Sequence, residues 1–141
     1  MKLTGHFYLQ ELMVSHTADI NYINNYPTDE IINNLRNLCI HILEPARIAT
    51  NAMIHITSGY RCEALNKLVG GASSSQHVTG CAADLRCYTE FYNYRLVEAL
   101  KKTQYDQLIL EQKGKIRWIH VSWSKNPRNQ IIDNWKSNYK K

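Results

Sequence analysis

A chain of 141 residues with 44% hydrophobic and 21% charged side chains has room for one domain and one proper core, so 1–141 reads as a single domain. No apolar run approaches the roughly 20 residues of a membrane span, and the opening Met1-Lys2-Leu3-Thr4-Gly5-His6 lacks the pattern of a secretory signal. This sets aside stable membrane insertion and leaves any export to another agent. The formal charge of +5 suits an anionic partner, whether nucleic acid, an anionic membrane surface or a cell wall, though by itself it reads first as a solvated basic surface. The basic residues are scattered, however, apart from Lys136, Lys140 and Lys141, and nothing resembles a recognition helix or an RNA-binding aromatic motif, which argues against nucleic acid.

Phe7 to Leu12 reads as a short helical or turn segment docking the N-terminus. Thr28 caps a helix opened by Asp29 and Glu30, with Ile31, Leu35, Leu38, Ile42 and Leu43 at helical spacing. Cys39 falls on its apolar face, and Pro45 should kink or restart it. Met53 to Thr57 has strand character and ends at Ser58-Gly59. Glu63 to Val69 forms a short helix stopped by Gly70-Gly71. Ala72 to Gly80 is a polar loop, and Ala82 to Arg86 a short strand. Thr89 caps a helix whose apolar face takes in Phe91, Leu96, Val97 and Leu100. Two strands follow, Asp106 to Glu111 and Trp118 to Trp123, joined across 112–115. The sum is an α+β domain, helices packed on a small, largely antiparallel sheet. Cys39, Cys62, Cys81 and Cys87 form no C-x-x-C pair and read as reduced thiols; Cys62 and Cys81 have no visible activating context for a nucleophile.

The residues with chemistry in them are His77, ending a Gly/Ser-rich loop, Asp84 on the next strand, and His120 between Ile119 and Val121 on a later one. A polar residue alternating with strand apolars needs a partner. Two imidazoles and a carboxylate make a three-ligand zinc set with a fourth position for water. Spacing alone weighs this evenly against three ordinary hydrogen-bonded residues.

Further residues tip the balance: Ser58-Gly59-Tyr60-Arg61, Leu65-Asn66, Ser75-Gln76-His77-Val78-Thr79-Gly80, and the opening Phe7-Tyr8-Leu9-Gln10-Glu11-Leu12 with Thr17-Ala18. Together with His77, six residues, Asp84 and the late His120, they resemble the zinc D-alanyl-D-alanine carboxypeptidase family. That family includes L-alanyl-D-glutamate endopeptidases of phages and shares a zinc fold with hedgehog signalling domains. The resemblance runs from Phe7 to Trp123.

It implies a Zn²⁺ ion on His77, Asp84 and His120, and hydrolysis of amide bonds next to D-amino acids in peptidoglycan stem peptides, as a carboxypeptidase or an endolysin. Arg61 is implied as the cation for the oxyanion or the peptide carboxylate, with Ser75 and Gln76 beside the substrate. Many family members place an acid three residues before the last His, where this chain has Arg117. Glu111 is then the nearest alternative base. A tight turn at Lys113-Gly114 would pair Glu111 with Ile116, roughly 13 Å along the strand from His120. A wide loop over 112–117 would set it beside Trp118, so a catalytic Glu111 demands the wide loop. Tyr60, Trp118 and Trp123 are candidates for a groove wall, and Ser122, on the strand face of His120, for a supporting contact. The protein is expected to be a monomer made in the cytoplasm that reaches the wall after release or as a virion component. The missing acid leaves one alternative, a non-catalytic zinc-containing binding or structural module of the same fold.

Overall fold

The computed structural model describes residues 1–135; the basic cluster of Lys136, Lys140 and Lys141 lies outside the described residues. Two short N-terminal helices, α1 (Leu9–Met13) and α2 (His16–Ile20), lead to α3 (Asp29–Leu38). The hydroxyl of Thr28 accepts from the Ile31 amide at 3.3 Å, the expected cap. The helix restarts around Pro45, which stands in the first turn of a new α-helical segment. A π-helical turn over Cys39–Leu43 leads directly into α4 (Glu44–Thr50). Proline has no N–H and its ring crowds the carbonyl four residues back; the wider turn relieves both problems.

The sheet comprises β1 (His55–Ser58), β2 (Ala82–Arg86), β3 (Gln107–Lys113), β4 (Ile116–Ser122) and β5 (Gln130–Asp133), with α5 (Glu63–Leu68) and α6 (Glu90–Lys101) between them. The strand order is β1-β2-β4-β3-β5. All pairings are antiparallel except β3–β5, a final parallel strand that the sequence reading lacked. One sheet face carries Ala83, Leu85, Leu108, Leu110, Ile119 and Val121 into the core, against α3, α4 and α6 residues such as Leu35, Ala46, Leu96 and Leu100. Strand alternation turns Asp84, His120, Trp118 and Glu111 to the opposite face. Of the expected apolar face of α6, Leu96, Val97 and Leu100 are buried, whereas Phe91 is 61% exposed and stands beside the Arg95 guanidinium instead.

The hairpin between β3 and β4 resolves the question of register. Lys113 pairs with Ile116, Gln112 with Arg117 and Glu111 with Trp118. The turn is tight, but its central residues are Gly114-Lys115, one position later than Lys113-Gly114. Gly114, at φ +61, supplies the positive angle that a two-residue hairpin needs at its first central position. The pairing that seemed to demand a wide loop is therefore reached with a tight one.

Candidate metal centre

β2 and β4, like β3, are paired on both sides and offer a rigid platform. Their register sets Asp84 directly opposite His120, the arrangement that brings cross-strand Cβ atoms to about 5 Å. On its other side Asp84 pairs with Ser58, past an irregularity in β1 at Thr57. His77 arrives from the 69–81 loop, which folds back over this face. Its amide donates to the Ser75 hydroxyl at 3.2 Å, and its carbonyl accepts from the Arg61 and Gly80 amides at 3.1 and 3.3 Å. The ligand-capable atoms of His77, Asp84 and His120 all lie within 4.8 Å of one another.

The contacts among them ask for a cation. His77 Nδ1 lies 2.7 Å from the Gly59 carbonyl. A carbonyl can only accept, so in the neutral ring Nδ1 carries the hydrogen and Nε2 is bare. That bare nitrogen faces Asp84 Oδ1 at 3.3 Å, lone pair against lone pair unless a proton or a metal ion lies between them. The same oxygen lies 3.0 Å from His120 Nδ1. Zinc bonds of about 2.0–2.1 Å in a tetrahedron give ligand-to-ligand edges of about 3.3–3.4 Å, close to the spacings found. Two neutral imidazoles and a carboxylate are also the donors zinc takes. The residues therefore fit the ion. Burial would raise the Asp84 carboxyl, but with protons on the facing nitrogens of His120 and His77, where a metal ion would otherwise lie, their hydrogen bonds and charges outweigh it and hold the group well below the usual carboxylate range.

Gly59 serves this arrangement through its missing side chain. A Cβ there would lie 2.2 Å from the Leu12 carbonyl oxygen, and the next amide, of Tyr60, donates to that oxygen at 2.7 Å. The close approach to α1 thus fixes the peptide whose carbonyl holds His77.

Around the three residues lies a cavity of about 440 Å³, lined also by Arg61, Ser75, Gln76, Glu111, Trp118 and Arg128. Arg61 reaches Ser75 Oγ from Nη2 at 3.4 Å, while its buried Nε has no hydrogen-bond partner. Burial lowers its pKa, with Asp84 acting in the opposite direction; a guanidinium stays charged regardless. Glu111 enters beside Trp118. Among the described residues its carboxylate accepts only a long bond from Asn134 Nδ2, 3.4 Å to Oε1, and its backbone carbonyl is fixed by Trp135 Nε1 at 2.5 Å. Arg117, three residues before His120, is an odd number of strand positions away and projects to the helix face. There its Nε donates to Gln112 Oε1 at 2.9 Å, and its guanidinium lies 5.3 Å from the centre of the Trp135 ring. On a regular strand this position cannot present an acid to the cavity.

Some expected contributors are placed elsewhere. Gln76 donates to Asp106 Oδ2 at 2.9 Å rather than to the three clustered residues. Ser122 is buried, and its hydroxyl accepts from the Gln107 amide at 3.0 Å, tying β3 to β4. Tyr60 packs in the core, and Trp123 stacks on His41 at 5.7 Å, so Trp118 alone of the three aromatics lines the cavity. Cys62 and Cys81 lie outside the lining, and burial pushes the Cys81 thiol up, away from nucleophilic character. The sequence reading missed Asp106 and Arg128. Arg128 binds the Asp106 carboxylate through Nε at 3.0 Å and Nη2 at 2.7 Å, a pairing across 22 residues that no local pattern announces.

The sequence model of the family described as Peptidase M15 matches residues 5–122, a span that holds the three clustered residues together with Arg61 and Glu111. No curated protein matches the chain.

Proposed function

The chain belongs to the peptidase M15 family, whose members are zinc-dependent, and on that premise we propose that it hydrolyses amide bonds next to D-amino acids in bacterial cell-wall peptides. His77 Nε2, an Asp84 carboxylate oxygen and His120 Nδ1 would hold Zn²⁺. Bound there, zinc supplies Lewis acidity to a peptide carbonyl and acidifies a water molecule. Glu111 takes the proton from the attacking water and returns it to the departing amine. Arg61, whose side chain lines the cavity, donates to the oxygen on which negative charge develops. Ser75 keeps Arg61 and the His77 amide in place, and Gln76 borders the substrate. Trp118 offers an apolar wall to the peptide.

The observation that carries this reading is the pairing of Glu111 with Trp118 at the wall of the cavity that holds both histidines and Asp84. It supports Glu111 as the base, a carboxylate whose one hydrogen bond among the described residues is the long one from Asn134. The rival reading, a non-catalytic zinc module, drew on the basic residue at position 117. That argument weakens once Arg117 is seen on the helix face. Among the described residues no helix is long and apolar enough to cross a membrane. The net charge of +5 would concentrate the protein on an anionic wall, reached after release from the cell or as part of a virion.

The test is mass spectrometry of purified peptidoglycan and synthetic stem peptides after incubation with zinc-loaded protein. New amine termini at one defined bond, absent with His120→Ala, are expected. A folded, zinc-loaded protein that cuts none of these substrates would overturn the proposal in favour of the binding module.

A further inference from the structure

The cavity holds a second cation for which hydrolysis itself has no use. Arg128 precedes β5, at one edge of the sheet, and Arg61 follows β1, at the other. Both line the same cavity as His77, Asp84 and His120. Consecutive residues of the 69–81 loop meet the two sides: Ser75 accepts from Arg61 and Gln76 donates to Asp106, the partner of Arg128, so the cavity wall carries one cation on either side of this segment.

Arg128 is prepared to bind an anion. Its guanidinium is held along one edge by Asp106, Nε to Oδ1 at 3.0 Å and Nη2 to Oδ2 at 2.7 Å. Its own amide also donates to Oδ1, at 2.8 Å, and Asn129, at φ 53, turns the chain sharply after it. Rotamer freedom that a surface arginine loses on binding is thus already lost. Nη1 has no hydrogen-bond partner among the described residues, and the side chain is 55% exposed although that of Asp106 is only 4% exposed. With Gln76 also on Oδ2 at 2.9 Å, Asp106 accepts four hydrogen bonds and has no lone pair left for a substrate donor.

We propose that Arg128 is a specificity-determining residue that reads a free carboxylate on the substrate, one or two residues from the scissile bond, on the β5 side of the cavity. The inference rests on reading the cavity as a peptidase site. Because Asp106 neutralises the charge at a distance, the recognition is short-ranged, through directed hydrogen bonds rather than long-range attraction. The carboxylate is either a peptide C-terminus or the α-carboxyl of an internal γ-linked D-glutamate.

The test uses two peptide pairs: N-acetyl-L-Lys-D-Ala-D-Ala as acid and as carboxamide, and L-Ala-γ-D-Glu-L-Lys with the D-Glu α-carboxyl free or amidated. Calorimetric Kd on zinc-loaded Glu111→Gln protein, and KM on the parent, should favour the acid about tenfold in one pair. Which pair it is identifies the source of the carboxylate. Arg128→Gln, folded by circular dichroism, should bring that ratio close to one. Arg128→Lys, with the charge but not the fork, should restore only part of it. A preference that survives Arg128→Gln, or parent protein that binds and cuts acid and amide alike, overturns the inference and leaves the peptidase reading standing. If no peptide of either pair is bound or cut, the peptidase reading falls and the inference falls with it.

Discussion

Asp84 and Asp106 are two acids in the same neighbourhood with opposite uses. Both are held below the ordinary carboxylate range, Asp106 at about 2. Asp106 has its acceptor sites filled by Arg128 and Gln76, none of which titrates near neutrality. Asp84 is approached on Oδ1 alone, by two imidazole nitrogens, and its Oδ2 has no hydrogen-bond partner among the described residues. A carboxylate with all its lone pairs occupied is architecture, joining the 69–81 loop, β3 and the approach to β5. One with lone pairs to spare, facing basic nitrogens across a cavity, can take a metal ion. Buried acid and depressed pKa are common to both, so neither property marks the functional one; the free oxygen does.

The largest effect should come from removing the spare lone pairs. Asp84→Ala is expected to lose zinc by atomic absorption and to reduce kcat/KM well beyond the about 100-fold that outer contacts of a metal site cost. An Asp84→Ala protein that kept one equivalent of zinc would break the distinction between the two acids. Glu111 extends the same rule to the wall of the cavity. Glu111→Gln preserves shape but not basicity, so kcat should fall about 10²- to 10⁴-fold with zinc content unchanged. Cleavage at the parent rate would move the base elsewhere.

The clustered residues were picked out by the family resemblance, since their local patterns alone weighed evenly against three ordinary residues. His77 ends a Gly/Ser loop, and His120 alternates with Ile119 and Val121. What joins them was not legible. Asp84 meets His120 because β2 pairs with β4 in one register, and a slip of one residue would turn every side chain to the other face. The fate of Glu111 turned on where the hairpin bends: a bend at 113–114 would leave it roughly 13 Å along the strand from His120, whereas the bend at 114–115 leaves it two residues, roughly 7 Å, away. The sequence reading weighed only a tight turn at Lys113-Gly114 and a wide loop; a tight turn opened by Gly114, with its positive φ at the first position, was the third choice it lacked. Asp106 and Arg128 carry no periodicity at all. β5 is a four-residue strand paired in parallel across a connection from β4, and nothing short-range records that.

Gly59→Ala tests how far the support of the metal centre reaches. A Cβ 2.2 Å from the Leu12 carbonyl oxygen must push α1 and β1 apart, at a cost of about 1–3 kcal/mol of stability. The displaced carbonyl would release the His77 ring, and zinc affinity by competition with a chelator should fall about 10- to 100-fold. Reduced thermal stability with unchanged zinc affinity would mean that the Gly59 contact is packing alone.

The smallest effect should come from Asp106, and it separates architecture from chemistry. Its folded pKa of about 2 lies below the about 3.9 of an unfolded aspartate, so the unfolded chain binds the proton more readily. The stability this contributes is fully present above about pH 4 and is lost as pH falls through about 2. Asp106→Asn keeps the size but removes the titration. Denaturant melts of metal-free protein should therefore show a shallower loss of stability between pH 4 and 2 in the variant than in the parent. The amide must also turn an NH₂ group toward donors that previously met oxygen, on Arg128 or on Gln76, so the variant starts from a lower plateau at pH 7. Zinc affinity, in contrast, should stay within a few-fold of the parent value, because Asp106 makes no contact with His77, Asp84 or His120. An identical acid limb in both proteins would mean that Arg128 does not hold the Asp106 carboxylate in solution, and the prepared guanidinium would be lost with it.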